Sequence, residues 1–425
     1  MTQGFNQYTK LVSNRSSVQT GIIKHLNTEP PDPANFNFVW TSTATIARST
    51  WAKESSPKTT GFGVGVSSIE AKTKAIGEAL ELYAASRCSE NELLYSSPAA
   101  LSEAFLDPRQ LGLYNRAQYK ETDFPFERFH TRSRIAWTRG QWLDTGAAVW
   151  LPAFLTYFGA RVSMEQSFAQ VTTCGLATGT SVEDASIRAI CELVERDAFM
   201  ITWLGQVPAR RLLADSALDQ QTRAIVSEFE IQGLEMRFYL LSVGIDIPVV
   251  LCLILGDGNS WPGATVGLGA HASLVTATRK AILEQALMGP ALRRAMFAGK
   301  PRIPTRANQI RTTLDHALYY VPKRRALAFD FLESRKLGPV FLSKLERPET
   351  VSLDFHVRRL RDAGVRVAVK DLTPPDVAKS PFRIVRALGT MLQPMHFGFG
   401  RSRACCPRLK LMAKNGLNPR PHPLA

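Results

Sequence analysis

The chain has 425 residues, of which 45% are hydrophobic and 21% are charged. Such a composition belongs to a globular protein with a large core and excludes a disordered or fibrous chain. The longest strongly apolar stretch, residues 247–255, is far shorter than the roughly 20 residues of a membrane helix, and the N-terminus has no signal-peptide pattern. Six cysteines without CxxC spacing are typical of a reducing compartment. We therefore expect a cytoplasmic protein that does not associate with a membrane.

The formal net charge is +15, from 52 Lys and Arg residues against 37 Asp and Glu residues. Nucleic acid is a common partner of a chain with this balance. Here, however, the basic residues are scattered in short clusters, without the interleaved aromatic residues of RNA-binding proteins. We therefore expect no nucleic-acid partner, because an anionic cofactor or an acidic partner suits the charge as well.

The predicted elements, in chain order, mix helices with strands. Residues 1–55 carry few periodic signals. Apolar or alternating runs predict strands at residues 148–155, 236–241, 248–255 and 365–369. The basic, proline-containing residues 289–325 are interpreted as a surface segment. The chain ends in PRPHPLA, which contains too much proline for a helix and predicts an extended tail.

One motif occurs three times along the chain. It reads GFGVGVSSIEAKTKAIGEALELY at residues 61–83, GLATGTSVEDASIRAICELVERD at 175–197 and GLGAHASLVTATRKAILEQAL at 267–287. The first two copies align without a gap at a shift of 114 positions, which is too long for a solenoid repeat. Each copy predicts a Gly-rich segment followed by an amphipathic helix. We interpret the copies as one supersecondary unit used three times around a single site.

Two of these helices carry three carboxylates and one cation on the same face. At about 100° per residue, the residues that share this face are Glu70, Lys74, Glu78 and Glu81 in the first helix, and Asp184, Arg188, Glu192 and Glu195 in the second. A solvated face with i,i+4 ion pairs is the alternative, but recurrence at matching phase favours a site. Carboxylates are the ligands that Mg²⁺ prefers, and a Gly-rich segment before a helix N-terminus suits phosphate. The motif therefore suggests a Mg²⁺–nucleotide site, and the chain has no P-loop or kinase signature.

Other residues with catalytic potential are interpreted as structural. Cys191 has no histidine near it in the sequence, and Cys174 stands at the head of the second copy. His396, in HFGFGR, is interpreted as a turn residue.

The second copy, extended to GLATGTSVEDASIRAICELVERDAFMITW, resembles the central signature of the YcaO-domain family. WTRGQWLDTGAAVWLPAFL and DLTPPDVAKSPFRIVRALGTMLQPMHFGFGR also resemble segments of that family, and PRPHPLA resembles the PxPxP terminus of its azoline-forming cyclodehydratases, the D proteins. The resemblance implies a YcaO domain over residues 58–425 with a tail at 419–425. Residues 1–57 are then an N-terminal segment that is part of this domain or precedes it. The implied fold is α+β and pseudo-repeated, with mixed, largely antiparallel sheets, packed helices and an ATP site between the repeated helices.

The resemblance also implies an activity. A Cys, Ser or Thr side chain of a ribosomally made precursor peptide attacks the preceding amide carbonyl, ATP phosphorylates the oxyanion with the help of Mg²⁺, and phosphate leaves to give a thiazoline or oxazoline. The alternatives are a YcaO enzyme that forms a thioamide or macroamidine, and a degenerate YcaO scaffold that only binds peptide. The expected partners are a ubiquitin-activating-enzyme-like C protein with a leader-binding module, and a flavin-dependent dehydrogenase in the same complex.

The resemblance assigns roles to particular residues. The expected metal ligands are Glu78, Glu81, Asp184, Glu192 and Glu195. The expected nucleotide contacts are Lys74, Glu78, Glu81, Arg188, Arg196 and Glu284. The expected catalytic tail comprises Pro419, Pro421, His422, Pro423 and Ala425, of which His422 and the terminal carboxylate could titrate.

Six positions depart from the family pattern: Val64 for a lysine, Lys74 for a serine, Leu82 for an arginine, Cys174 for an asparagine, Leu287 for a glutamine and Asp184 for a glutamate. Asp184 remains a carboxylate ligand. We expect Lys74 to supply the positive charge that Val64 lacks.

Overall fold

The computed structural model describes residues 21–47, 59–158, 167–299, 302–334, 336–347, 351–414 and 416–425. The strands are β1 (Ile23–Glu29), β2 (Trp40–Ile46), β3 (Thr60–Gly65), β4 (Leu94–Ser96), β5 (Ile135–Trp142), β6 (Ala148–Pro152), β7 (Leu176–Gly179), β8 (Arg210–Leu213), β9 (Met236–Leu240), β10 (Val249–Leu255), β11 (Ala264–Ala270), β12 (Val340–Phe341), β13 (Val367–Asp371) and β14 (Arg383–Gly389). The α-helices are α1 (Ser68–Ala85), α2 (Ala153–Thr156), α3 (Val182–Gly205), α4 (Gln220–Ile231), α5 (Leu274–Ala298), α6 (Thr313–Leu318), α7 (Leu342–Leu345), α8 (Leu353–Asp362), α9 (Pro375–Ala378) and α10 (Pro407–Met412).

The strands form three sheets, and nearly all pairings are antiparallel. The first sheet has the order β1-β2-β3, the second β11-β10-β9-β8-β12, and the third β4-β5-β13-β14-β7 with β6 paired to β5. Only β8 and β12, among the described pairs, run parallel. The predicted α+β fold with largely antiparallel sheets is therefore confirmed.

Each copy of the repeated motif folds as a strand followed by a helix: β3–α1, β7–α3 and β11–α5. In all three, a serine caps the helix, because the side chains of Ser67, Ser181 and Ser273 accept hydrogen bonds from the backbone N–H three residues later. Each of the three strands also lies at the edge of its own sheet. The three sheets thus each contribute one edge strand and one helix of the same design.

The glycines of the motif let each strand approach its helix. A Cβ atom on Gly63 would lie 1.9 Å from the carbonyl oxygen of Ala71, and one on Gly269 would lie 2.1 Å from that of Ala277. In the second copy, a Cβ on Gly179 would lie 2.3 Å from the backbone nitrogen of Ala185. The Gly-rich segments are therefore strands pressed against helix backbones, which explains why the facing helix position is alanine in every copy.

The four strands predicted from apolar runs are present. The run at 148–155 forms β6 and then turns into the short helix α2, while the other three form β9, β10 and β13. The interpretation of residues 289–325 as a surface segment is wrong. Ile310, Leu318 and Tyr320 in it are fully buried, because the basic side chains occupy only the outer side of this segment.

The largest core cluster surrounds α3. Ala189, Ile190 and Met200 of this helix are completely buried, and the cluster includes apolar residues from β10, β11, β13 and β14. No helix within the described ranges combines the length and apolar character needed to cross a bilayer.

Candidate active site

In all three repeated units, a helix carboxylate accepts a hydrogen bond from a backbone N–H that lies in its own edge strand or directly before it. The pairs are Phe62 N–Glu78 Oε2 (2.8 Å), Gly175 N–Glu192 Oε2 (3.1 Å) and Leu268 N–Glu284 Oε2 (2.7 Å). An edge strand has outward N–H groups without a partner strand, and a buried N–H needs an acceptor. The repeated glutamate meets this need, and the bond holds its carboxylate at the edge of the sheet.

A further carboxylate joins the first unit to the second. Glu81 on α1 accepts a hydrogen bond from the backbone N–H of Thr178 on β7 (2.6 Å), and the Thr178 hydroxyl donates to the carbonyl of Gly77 (3.0 Å). Helix α1 therefore docks against β7, which brings its carboxylates beside those of α3.

These neighbouring carboxylates raise one another's pKa. Burial, with Glu192 and Glu78 nearby, raises the pKa of Glu81 well above its usual range. Burial, with Glu195 nearby, raises the pKa of Glu284 to about 7, and the same two causes raise the pKa of Glu192. Carboxylates from α1, α3 and α5 thus form one cluster with an excess of negative charge, which a cation would relieve.

Arg196 lies within this cluster. Its Nη1 is 3.5 Å from Glu195 Oε1, and its Nη2 is 3.9 Å from Glu192 Oε1. Burial opposes its charge, but Glu195, Glu284 and Glu192 together raise the pKa of Arg196 above its usual value. Within the described ranges, Nη1 has no hydrogen-bond partner. The guanidinium can therefore still donate to an anionic ligand.

Cations stand one helical turn before each repeated glutamate, at Lys74, Arg188 and Lys280. Lys74 Nζ is 2.9 Å from Glu70 Oε1, and burial lowers the pKa of Lys74, with Arg279 and Lys280 as neighbouring positive charges. Lys280 occupies the same column of the repeat as Lys74 and Arg188, but it was not among the residues expected at the site.

The polar face of α1 is also bonded to the third unit. Arg279 on α5 forms a bidentate pair with Glu70, with its Nη1 3.0 Å from Oε1 and its Nη2 2.8 Å from Oε2. Together with Lys74, this pair lowers the pKa of Glu70 to about 2, although burial acts in the opposite direction. Glu70 is therefore held as an anion at the junction of the first and third units.

The expected ligand Asp184 lies two helical turns before Glu192 on α3. Its Oδ2 accepts a hydrogen bond from the backbone N–H of Thr180 (2.9 Å), and its Oδ1 accepts one from Arg188 Nε (2.9 Å). These contacts, which outweigh burial, lower the pKa of Asp184. Among the residues described, no three acidic, histidine or cysteine side chains converge closely enough to hold a metal alone. This donor set fits Mg²⁺ that takes one or two carboxylates and completes its shell with phosphate oxygens and water.

The positions that depart from the family pattern are mostly apolar in their surroundings. Val64 and Leu82 are buried, and Val64 packs in the cluster that contains Leu287 at its border. Cys174 instead lies beside Glu192 and Arg196, and burial raises the pKa of its thiol.

The C-terminal tail packs into the protein. His422, Pro423 and Leu424 are buried, whereas Pro419 and Ala425 are exposed, and Leu424 belongs to the core cluster around α3. The tail therefore forms part of the core, despite its prolines and polar groups. The reason is that its polar groups are paired, because Trp203 Nε1 donates to the carbonyl of Arg420 (3.0 Å) and Tyr320 donates to that of Pro421.

His422 stacks on His316 with ring centroids 4.0 Å apart and donates from Nε2 to the carbonyl of His396 (2.6 Å). Burial lowers the pKa of His422 well below its usual range, with His316, His396 and Arg196 as nearby contributors. The expectation that His422 titrates in a useful range is therefore corrected. The imidazole is neutral, and its Nδ1, which has no partner among the described residues, is a hydrogen-bond acceptor.

Tertiary structure also gives Cys191 a histidine partner that the sequence did not suggest. Its Sγ is 3.6 Å from Nε2 of His356, whose Nδ1 donates to the carbonyl of Ser352 (2.7 Å). Burial raises the pKa of Cys191 to about 11, so the thiol is neutral and donates to the imidazole.

The repeated units and their facing carboxylates define an α+β protein with a polar site between three helices. Residues 62–388 match the YcaO cyclodehydratase family, which is ATP- and Mg²⁺-binding. This match covers well over half of the chain, and the chain belongs to the YcaO family of enzymes.

Two curated relatives are similar in sequence. An uncharacterised protein encoded in the tfuA 3′ region of Rhizobium leguminosarum bv. trifolii is 29% identical over 165 residues, which are 36% of this chain and 38% of that protein. An uncharacterised protein of Methanothermobacter thermautotrophicus is 24% identical over 332 residues, which are 76% of this chain and 79% of that protein. The chain thus covers less than half of the Rhizobium relative.

Solved structures share the fold. A heterocyclase in complex with substrate and cofactor is 20% identical with a TM-score of 0.80, covering 99% of this chain and 57% of its own. YcaO from Methanopyrus kandleri bound with AMPPCP and Mg²⁺ is 19% identical with a TM-score of 0.64 over 90% of each chain. The Escherichia coli microcin synthetase McbBCD complex is 15% identical with a TM-score of 0.60 over 86% of each chain.

Proposed function

We propose that this protein is an ATP- and Mg²⁺-dependent cyclodehydratase, which converts Cys, Ser or Thr residues of a ribosomally made precursor peptide into thiazolines or oxazolines. The observation that carries the proposal is the cluster in which Glu192, Glu195 and Arg196 of α3 face Glu81 of α1 and Glu284 of α5. An excess of buried carboxylates around an arginine with a free nitrogen suits a metal-bound triphosphate. The family assignment supports the same ligands.

In this proposal, more than one Mg²⁺ ion would be held, each by one or two carboxylates together with phosphate oxygens and water. The carboxylates would come from Glu78, Glu81, Asp184, Glu192 and Glu195. The nucleotide would be held by Lys74, Arg188, Arg196 and Glu284, together with Glu78 and Glu81. ATP supplies the phosphoryl group that turns the amide oxygen of the peptide into a good leaving group. The protein supplies position and charge, because the edge-strand bonds fix the carboxylates of Glu192 and Glu284 before any ligand arrives.

The tail is proposed to serve the peptide rather than the nucleotide. Pro419, Pro421 and Pro423 keep the chain extended at low entropic cost, so that His422 reaches the side of the carboxylate cluster. The neutral Nδ1 of His422 can accept a hydrogen bond from the attacking thiol or hydroxyl and so position it. The carboxylate of Ala425 belongs to an exposed residue and can act where the peptide enters.

We also propose that residues 58–425 form the YcaO domain and that the chain works in a complex. A ubiquitin-activating-enzyme-like C protein would bind the leader of the precursor, and a flavin-dependent dehydrogenase would oxidise the rings. The support is that one structure of the same fold is that of a multi-subunit synthetase. The net charge of +15 suits an acidic leader or partner.

Co-expression with the precursor peptide and mass spectrometry of that peptide test the activity. Cyclodehydration predicts the loss of one water per ring, and replacement of the modified Cys, Ser or Thr by Ala should prevent that loss. A gain in mass from exchange of oxygen for sulfur would identify a thioamide-forming enzyme instead. Loss of water that survives the Ala replacements would indicate a macroamidine, and an unmodified but bound peptide would indicate a scaffold.

A further inference from the structure

Arg386 is a buried arginine that the proposed nucleotide site does not use. It lies on β14 and is only 4% exposed. Its Nε donates to the carbonyl of Leu155 (3.1 Å) and its Nη2 to that of Thr172 (2.9 Å). The third nitrogen, Nη1, is buried and has no hydrogen-bond partner in the described part of the chain. A guanidinium whose other two nitrogens are held by carbonyls has a fixed orientation, so the direction of Nη1 is fixed as well.

Arg386 lies next to the carboxylate cluster. Arg386 pairs with Leu176 across the β14–β7 ladder, next to Gly175, whose N–H is bonded to Glu192. Burial lowers the pKa of Arg386, and the groups that oppose this are Cys174 and Glu192. Cys174 is also beside Arg196. Both arginines are therefore near Cys174, and Nη1 of each has no hydrogen-bond partner among the described residues.

A buried cation without a hydrogen-bonded anionic partner is costly. No ion pair of Arg386 is found among the described residues, and its fixed nitrogens bond only to neutral carbonyls. This energetic cost is offset if a ligand accepts a hydrogen bond from the remaining nitrogen, Nη1. Arg196 already faces the carboxylates that suit the metal-bound phosphates, so the ligand of Arg386 is a second group beside them.

We propose that Arg386 Nη1 donates a hydrogen bond to the carbonyl oxygen of the reacting amide of the peptide. This inference rests on the proposed function. When the thiol or hydroxyl attacks, its bond to the carbonyl carbon forms, the electron pair of the C=O bond moves to oxygen, and the proton of the nucleophile passes to a carboxylate of the cluster or to water. Arg386 stabilises the oxyanion, which then attacks the terminal phosphorus of ATP as the bond to ADP breaks. The phosphate leaves with the former amide oxygen as the C=N bond forms and the amide N–H proton is lost.

The first test is Arg386→Gln, with Arg386→Lys as a second variant. Loss of one oxyanion donor should lower kcat/KM for the precursor peptide by about 10²–10³-fold. The Kd for Mg²⁺ with a non-hydrolysable ATP analogue should change little, because Arg386 contacts the peptide. Arg403→Gln is the matched control. Arg403 is 5% exposed and also donates to two backbone carbonyls, those of Leu111 (2.6 Å) and Gly112 (2.7 Å).

A decrease in kcat/KM of the same size in Arg403→Gln would show that Arg386 matters only for packing. A parallel loss of nucleotide affinity in Arg386→Gln would place it at the phosphates, and normal kinetics would overturn the inference. If the wild-type protein forms no rings at all, the proposed function fails, and this is seen before any variant is made.

A second measurement does not depend on the folding of a variant. A precursor in which an alkene replaces the reacting amide lacks the carbonyl oxygen but keeps the shape. The wild-type protein should bind it at least about tenfold more weakly than the natural peptide, as expected for a hydrogen bond to a charged donor. Arg386→Gln should bind both peptides equally. Equal binding of the two peptides by the wild-type protein would contradict the assignment.

Discussion

At the scale of single residues, the repeated glutamate has a structural role that also suits the proposed chemistry. In Glu78, Glu192 and Glu284, one carboxylate oxygen accepts the N–H of an edge strand. This bond orients the group, so that the carboxylates of three helices face one another before a ligand binds. Preorganised charge of this kind is what a phosphoryl-transfer site requires.

We expect Glu192→Gln to abolish ATP hydrolysis stimulated by peptide while the protein stays folded. Glutamine can still accept the N–H of Gly175, but it lacks the negative charge and the strong oxygen ligand for Mg²⁺. Turnover and thermal melting are measured together. Glu183→Gln is the control, since Glu183 is exposed on the first turn of the same helix. Normal turnover by Glu192→Gln would remove this residue from the site.

Lys74 has two roles to be separated. Its ion pair with Glu70 contributes a few tenths of a kcal/mol if it acts only within the helix. If Lys74 also contacts phosphate in place of the missing lysine at Val64, Lys74→Ala should raise the KM for ATP at least about tenfold, which corresponds to about 1.4 kcal/mol. Lys72→Ala, on the same helix, is the control. A lower melting temperature with unchanged ATP kinetics would leave Lys74 with the ion pair alone.

At the scale of elements, the strand–helix unit explains the spacing of the motif. Its glycines and alanines bring an edge strand close to a helix. The glutamate of that helix can then accept a hydrogen bond from the backbone of the strand. The strands β3, β7 and β11 were not predicted, because glycine is depleted in strands and leaves no alternating pattern. Helix packing against the strand overrides this low propensity.

Gly63→Ala should therefore destabilise the first unit. Its Cβ would lie 1.9 Å from the carbonyl oxygen of Ala71, so strand and helix must separate, at a cost of roughly 1–3 kcal/mol in the free energy of unfolding. Gly77→Ala is the matched control, because its Cβ would make an ordinary contact 3.6 Å from Thr178 and alanine favours a helix by about 1 kcal/mol. Chemical denaturation compares the two. A Gly63→Ala protein as stable as the wild type would contradict the packing argument.

At the scale of the whole molecule, the C-terminal tail connects distant parts of the chain at the site. It contacts Trp203 of α3, His316 of α6 and the loop that carries His396. The basic segment at 289–325 that supplies His316 therefore holds the tail as well as forming part of the surface.

Deletion of residues 419–425 should nearly abolish ring formation while nucleotide still binds. It should also lower the melting temperature, because Leu424 and the stacked ring of His422 leave the core. This expectation differs from that for an inert terminus, whose removal would change neither quantity. Arg420→Ala is the control, since only the backbone of this exposed residue holds the tail. Full activity of the truncated protein with its partner and precursor would also weaken the azoline assignment.

The buried histidines make stability depend on pH. Burial lowers the pKa of His316 to about 4 and that of His396 to about 3, and it lowers that of His422 further still. The unfolded chain, with histidine pKa values near 6.5, then binds more protons, so stability is complete above about pH 6.5 and decreases as the pH falls. The melting temperature should drop between pH 7 and pH 5. The drop should be smaller in His422→Phe, and a wild-type melting temperature that is constant over this range would contradict the neutral state of these residues.

Much of the fold and of the candidate site could be predicted from the amino-acid sequence. The threefold motif, the polar faces of the first two helices and the apolar strands follow from periodicities of 3.6 and 2, which the backbone imposes locally. The YcaO signature then indicated the family, and both the family and the α+β fold are confirmed. The carboxylates of α1 and α3 could be predicted as site residues in this way, because each set lies within one short stretch of sequence.

The arrangement between stretches was decided only by tertiary structure. The edge position of β3, β7 and β11, the pair of Glu70 with Arg279, the partnership of Cys191 with His356 and the buried stack of His316 on His422 join residues far apart in the chain. Arg386 belongs to the same group, since its free nitrogen exists only because two distant carbonyls hold the other two. Local periodicity specifies which face of an element is polar, but only packing specifies which other element that face meets.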